Sequence, residues 1–173
     1  LRTTSRRGSN AMVVIDVDQV LDLDRKRRGS DGRLHYLNQA IPDGPWHHES
    51  DRVKIWCAGF VCVLDREDLG NWAGYVALPT NHPWVSDDRD PTLESGEWHD
   101  AVHGGITYCN ERSPILDSGN SSSIWIGFDC AHASLGDMIP VFRNPGTYRD
   151  YRFAFGELCR LAEAASAAVA KQT

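Results

Sequence analysis

The sequence predicts an α+β fold, in which a mostly antiparallel sheet of four or five strands packs on a C-terminal amphipathic helix. Three observations support this prediction. The chain has 173 residues, of which 41% are hydrophobic and 24% are charged, and this is enough to build one buried core. Four short apolar runs have the length of strands, at residues 53–64, 72–78, 102–109 and 124–129. A single apolar stripe of helical period follows them near the end of the chain.

The four apolar runs differ in the pattern of their side chains. Residues 53–64 are apolar at both odd and even positions, which predicts a central strand that is covered on both faces. Residues 72–78 form a second strand, which a proline ends. Residues 102–109 and 124–129 alternate, as strands with two different faces do. The loop at residues 80–100 is long and rich in acidic residues, and loops of about this length are often functional.

A helix is predicted after the turn Asn-Pro-Gly at residues 144–146. Thr147 is the expected N-cap, and Asp150 three residues later completes a capping box. This start places Arg149 in the first helical turn, where a cation opposes the helix dipole unless an anion or a carboxylate lies nearby. The apolar stripe then recurs at steps of three and four residues, at Tyr151, Phe155, Leu158, Ala162, Ala165 and Val169.

The composition predicts one domain and argues against nucleic acid and the membrane as partners. Residues 1–11 are polar and basic, so we interpret them as a disordered tail or a cloning remnant, and residues 12–173 as a single α+β domain. The chain has 24 acidic and 18 basic residues, and this net negative charge makes nucleic acid an unfavoured partner. No apolar run approaches the roughly 20 residues that cross a bilayer. Five cysteines without a CxxC pair predict free thiols, and the expected location is the cytoplasm.

Two of the predicted strands carry polar residues that packing alone explains poorly. His103 is followed by two glycines inside a strand-like run, and glycines there mark a bulge or a close approach to the backbone. Asp129 and His132 follow the most apolar strand, and they converge if the strand ends near Asp129. Asp137 and His82 are possible additions from loops. The alternative is that His103 bonds only to backbone and that Asp129 and His132 organise a turn.

Such a cluster suits two chemistries. Imidazoles and carboxylates are ligands for Zn, Mn or Fe ions, which predicts a metal site of His103, Asp129, His132 and Asp137. Alternatively, Asp129 orients one histidine as a general base. A nucleophilic cysteine requires a histidine or carboxylate close by, which among the five cysteines singles out Cys130.

A ligand pocket without catalysis is a third possibility. It would use His103, Asp129 and His132, with Arg149 as a phosphate-binding candidate. Trp84 flanks the acidic loop, where its ring is either a stacking surface for a base or an anchor of the loop on the core.

Several of these motifs together resemble a protein family. Residues 102–108 read Val-His-Gly-Gly-Ile-Thr-Tyr, residues 127–132 read Gly-Phe-Asp-Cys-Ala-His, and residues 148–150 read Tyr-Arg-Asp. In this order they resemble a family of small bacteriophage and prophage proteins to which no activity is attached, over about residues 53–165. A Gly-Asp pair follows the Ala-His segment at a slightly longer spacing than in that family, which leaves the placement of Asp137 open. The resemblance implies expression inside a bacterial host cell.

The sequence therefore leaves three alternative functions, of which the first is preferred. The first is a non-catalytic module that binds a small polar ligand, such as a nucleotide, with His103, Asp129, His132, Arg149 and Trp84. The second is a metal-dependent hydrolase that uses the His/Asp cluster. The third is an interaction module whose acidic surface binds a basic host protein.

Overall fold

The computed structural model describes residues 28–85, 100–111 and 123–171 and confirms the α+β fold. The strands are β1 (His35–Tyr36), β2 (Gln39–Ala40), β3 (Arg52–Cys57), β4 (Phe60–Arg66), β5 (Trp72–Pro79), β6 (Tyr108–Asn110) and β7 (Ser123–Asp129), and the helix is α1 (Tyr151–Ala170). A five-stranded antiparallel sheet in the order β3-β4-β5-β7-β6 packs on the helix, and β1 and β2 form a separate two-stranded sheet. Residues 1–11 lie outside the described part of the chain, as do residues 86–99 of the acidic loop.

The first apolar run is two strands and not one central strand, so this part of the prediction is wrong. Residues 53–64 contain the turn of the β3-β4 hairpin, with Ala58 at φ +51° and Gly59 at φ +93°. Positive φ at both central residues is the geometry of the tight turns that fit the twist of paired strands. The run is apolar at both parities because its second half belongs to buried β4, whereas β3 is an edge strand that exposes Trp56.

The third apolar run is mostly not a strand. Only Tyr108–Asn110 pairs with β7, because the preceding Gly104 and Gly105 adopt φ +72° and +82° and interrupt any extended path. The other two predictions are confirmed almost to the residue, since β5 and β7 pair along seven positions at the centre of the sheet.

The helix begins later than the capping box predicted. Asp150, and not Thr147, is the N-cap, and its carboxylate accepts a hydrogen bond from the Phe153 N–H. Arg149 therefore precedes the helix instead of lying in its first turn. The buried face of α1 packs against the core side chains of β4, β5 and β7, and consists mainly of Ala154, Leu158, Leu161, Ala162 and Ala165. No helix in the described ranges is long and apolar enough for a membrane span.

A buried arginine joins the β4-β5 hairpin to the start of α1. Arg66 is wholly buried, and its guanidinium lies 4.1 Å from the centre of the Trp72 ring. It donates to Glu49 at 2.8 Å and to the Tyr148 hydroxyl at 2.8 Å. Glu49 in turn accepts from the Tyr148 hydroxyl at 2.6 Å and from the Tyr151 N–H at 3.1 Å. This network fixes where the helix begins relative to the sheet.

We expect Arg66→Met to lower the free energy of unfolding by about 3–5 kcal/mol, because it leaves the partly buried Glu49 carboxylate without its cation and removes one of the two arginines that contact Asp51. The measurement is urea denaturation followed by circular dichroism. Arg152→Met, at an exposed position of α1, is the matched control and should change stability by less than about 0.5 kcal/mol. Equal effects of the two substitutions would contradict the role given to Arg66.

Candidate functional site

Five polar side chains from three parts of the chain meet beside the first turn of α1, and we call this group the histidine site. His103 comes from the loop before β6, and Asp129 is the last residue of β7. His132 and Asp137 flank a 3-10 turn at Ala133–Leu135, and Arg149 directly precedes the N-cap of α1. The sequence predicted a cluster of His103, Asp129 and His132, to which the metal-site alternative added Asp137 and the ligand-pocket alternative added Arg149.

Asp137 is the centre of the site. Its carboxylate is wholly buried and accepts from the His103 Nε2–H at 2.8 Å, the Arg149 Nε–H at 2.7 Å and the His132 backbone N–H at 2.9 Å. Its backbone pairs with the segment before α1, since Thr147 N–H donates to the Gly136 carbonyl at 2.8 Å. The loop that carries His103, the turn that begins at His132 and the segment before α1 are thus all bonded to one carboxylate.

The protonation of Asp137 follows from these contacts. Burial alone would raise the pKa of this carboxyl, but hydrogen bonds from Arg149, His103 and the His132 backbone outweigh it, and the pKa lies below its ordinary value. Asp137 is therefore an anion at neutral pH. As an acceptor it holds His103 in the tautomer with the proton on Nε2, so Nδ1 of a neutral His103 is an acceptor.

The two imidazoles meet edge to face. Their ring centres are 5.7 Å apart at an angle of 89°, and the His103 ring also packs on Phe153 of α1. Gly104 makes this arrangement possible, because a Cβ atom there would lie 2.4–2.6 Å from the His132 ring. The two consecutive glycines therefore allow a close approach to the backbone, as the sequence predicted, and the approaching group is His132.

Asp129 lies at the rim of the site. Its carboxylate accepts from the Thr107 hydroxyl at 3.0 Å and from the Ala131 N–H at 2.9 Å, which ends β7 in a tight turn. His132 Nδ1 is 3.6 Å from Asp129 and 3.9 Å from Asp137, and this buried nitrogen has no hydrogen bond. Asp129 and His132 therefore converge, as the sequence predicted for a strand that ends at Asp129.

Two residues proposed from the sequence lie elsewhere. His82 is buried, and its Nε2 is 3.0 Å from the Ala165 carbonyl, while Trp84 packs edge to face on the His82 ring. Ala165 is eight residues beyond Glu157, which accepts from the His103 N–H at 2.7 Å. Eight helical residues span about 12 Å, so Trp84 and His82 belong to the far end of α1. Trp84 is a loop anchor on the core, and its assignment to the ligand site is corrected.

Glu157 is the residue that sequence reasoning missed. It is buried on the inner face of α1, supports the backbone of His103, and is paired with Arg160. A signal was present, since Glu157 falls beside Leu158 and Leu161 on the apolar side of the helix. A carboxylate is rarely buried there without a partner.

The arrangement also has the composition of a metal site. His103, His132 and Asp137 each offer one ligand atom, and these atoms lie within 4.8 Å of one another. A tetrahedral Zn²⁺ with bonds near 2.0–2.1 Å places its ligand atoms about 3.3 Å apart. His103 Nε2 and Asp137 are closer, at 2.8 Å, because a proton joins them.

A cleft of about 670 Å³ lies next to Arg28 and the segment 47–52 and does not include the histidine site. Its two arginines are already bound within the protein, since Arg28 donates to Asp51 and to the carbonyls of Gly32, His47 and Glu49, and Arg52 donates to Asp65. We therefore regard it as a structural feature.

Comparison of the chain with protein-family models, with curated proteins and with solved structures finds no match.

We expect Asp137→Asn to destabilise the fold by about 2–3 kcal/mol at pH 7, because the amide cannot balance the Arg149 charge. The pKa of Asp137 is lowered in the folded state, so its contribution is complete above about pH 4 and is lost as the pH falls through the folded-state pKa. Urea denaturation from pH 7 to pH 2 should show the two proteins converging at the acid end. Asp43→Asn, at an exposed carboxylate, is the control; a constant difference at all pH values would contradict the prediction.

We expect Gly104→Ala to displace the His132 ring, whereas Gly59→Ala should not. Both positions have positive φ, so both substitutions strain the backbone by about 1–2 kcal/mol. Only at Gly104 does the new methyl group meet the imidazole, since a Cβ atom at Gly59 meets no atom within 4 Å. The measurement is the proton and carbon shift of the His132 Cε1–H group by NMR. Equal shifts in both variants would argue against contact between Gly104 and His132.

Proposed function

We propose that the histidine site binds a small polar ligand with anionic oxygens, such as a nucleotide, without catalysing its conversion. The observation that supports this proposal is the buried Asp137 carboxylate, which holds His103, His132 and Arg149 side by side. A ligand then meets groups that are already oriented, and this lowers the entropy cost of binding.

The groups around Asp137 retain hydrogen-bonding capacity. Arg149 uses Nε for Asp137 and lays its guanidinium 4.6 Å from the centre of the Phe153 ring, and no described residue bonds its two terminal nitrogens. His103 Nδ1 and His132 Nε2 likewise have no partner among the described residues. The Arg149 guanidinium and an Nε2–H of His132 suit a phosphate or carboxylate, whereas the acceptor His103 Nδ1 and the Asp129 carboxylate at the rim suit a hydroxyl or amino group of the same ligand.

Nucleophilic catalysis by Cys130 is not supported. The thiol is buried, and burial together with the Asp137, Asp129 and Glu157 carboxylates raises its pKa far above neutrality. Since the thiolate is the reactive form, this cysteine is suited to packing. It lies in the main core cluster with Phe128 and Val102.

A divalent metal centre is the second candidate, favoured by the unbonded His132 Nδ1 and by the ligand atoms within 4.8 Å of one another. His103, His132 and Asp137 would hold the ion, and Asp129 lies next to them. Metal binding would have to remove the proton between His103 and Asp137 and widen their 2.8 Å contact by about 0.5 Å. The observed hydrogen bond favours the ligand pocket over the metal centre.

The test uses AMP, CMP, GMP, UMP and inorganic phosphate, titrated against protein with carbon-13-labelled histidine. We expect saturable shifts of the His103 and His132 ring signals with at least one nucleotide. His132→Ala removes the ring but keeps the backbone N–H that holds Asp137, so it should weaken binding by about tenfold or more and leave stability nearly unchanged. His48→Ala, at an exposed histidine, is the control.

A repeat of this titration in EDTA and a separate titration with Co²⁺ distinguish the ligand site from the metal centre. A ligand that binds equally well in EDTA supports the metal-free pocket, while saturable Co²⁺ binding with the visible absorption of a tetrahedral ion supports the metal centre. Absence of both responses would exclude both functions at this site.

A further inference from the structure

Among the described residues, the five-stranded sheet has one long edge, which is strand β3. β3 stands at one end of the strand order and has six residues, whereas β6 at the other end has three. An edge strand presents backbone N–H and C=O groups that can pair with a further strand. The edge of β3 is therefore the place where this sheet can be extended.

Alternate residues of β3 direct their backbone groups away from β4. The Asp51 carbonyl accepts from the Arg66 N–H at 2.8 Å, and this register gives the odd-numbered residues of the strand the backbone bonds to β4. The N–H and C=O groups of Lys54 and Trp56 therefore point outward, and no described residue pairs with them. Both residues are exposed to solvent, Trp56 by 46%.

The side chains at this edge combine a cation with an aromatic ring. The odd-numbered side chains of β3 pack on the core beneath α1, so Lys54 and Trp56 project from the opposite face of the sheet. A lysine ammonium is attracted to the face of an aromatic ring, and the indole of tryptophan is the strongest partner for this contact. Each copy of the strand thus carries both halves of a cation–π pair.

A second copy of the chain satisfies the backbone and the side chains together. If two β3 strands pair antiparallel about a twofold axis at Ile55, Lys54 of each copy lies directly opposite Trp56 of the other. Residues opposite each other share a face, with Cβ atoms about 5 Å apart, so the contact forms twice. The two adjacent registers that pair the same backbone groups place Lys54 or Trp56 opposite itself and lose both contacts.

We propose that two copies of this chain pair through β3 into one continuous sheet, with Ile55 at the twofold axis and Lys54 of each copy against Trp56 of the other. Both α1 helices then lie on the same face of the joined sheet. One strand edge from each copy makes a small interface, so we expect a weak dimer with a Kd of about 10–100 µM. The dimer leaves the histidine site unchanged and does not depend on its ligand.

The test is sedimentation equilibrium of the full chain from about 1 µM to 1 mM, which should show a monomer–dimer equilibrium. Hydrogen exchange followed by NMR at both ends of this range identifies the surface. We expect the Lys54 and Trp56 amide protons to exchange at least about tenfold more slowly in the dimer. The Ile55 amide, which is already bonded to β4, should change little.

Two substitutions test the register. Lys54→Gln should raise the dimer Kd by about tenfold, because it removes a contact that forms twice. Trp56→Thr should raise the Kd at least as much, while threonine keeps a side chain suited to a strand. Lys171→Gln makes the same chemical change at an exposed residue beyond α1, and this matched control should leave the Kd unchanged.

A lysine on an edge strand can also serve to prevent association. If Lys54 has that role, Lys54→Gln will strengthen dimerisation or leave it unaltered, and either result would overturn the proposal. A chain that stays monomeric at about 1 mM would overturn it as well. So would a dimer that protects other amide protons and leaves those of Lys54 and Trp56 in fast exchange.

Discussion

The buried charge of Asp137 is the constraint on which the rest of the site depends. A carboxylate that is removed from water is tolerated only when donors replace its hydration, and Asp137 has three from three segments of the chain. Each donor is thereby fixed in position. The orientation of His103, the turn that carries His132 and the direction of Arg149 are consequences of neutralising one buried anion.

A second buried network lies at the same end of the helix, and the two are joined through consecutive residues. Tyr148 reaches Glu49 and Arg66, whereas Arg149 reaches Asp137. Asp150 then caps α1 through the Phe153 N–H. Three adjacent side chains therefore bind the loop before β3, the Asp137 carboxylate after the 3-10 turn and the helix itself, so the start of α1 is positioned by hydrogen bonds as well as by packing.

Much of this architecture follows from the sequence, because β5, β7 and α1 have the periodicity of their environments. The β3-β4 turn was not predictable from composition, since Ala58 occupies a left-handed position that glycine or asparagine usually marks. The members of the histidine site were candidates because of their residue types at the ends of apolar runs, although their spacing matches no known motif. The central role of Asp137 was not, because it depends on the 3-10 turn that brings the loop back. Trp84 was misplaced because nothing in the sequence indicated which end of α1 its loop contacts.

Asp129 separates two surfaces of opposite chemical character. On one side it lies 3.6 Å from His132 in the histidine site, which contains the Arg149 cation, and on the other it lines a cleft with Tyr75 and Tyr108. Its carboxylate is held by Thr107 and by the Ala131 N–H, so it cannot turn fully toward either side without losing a hydrogen bond. Because a charge so close to both surfaces acts on both, removing it would change the electrostatics of the two surfaces together. Substitution of His132, which leaves Asp129 in place, is therefore the change that tests the histidine site without altering the charge of the other surface.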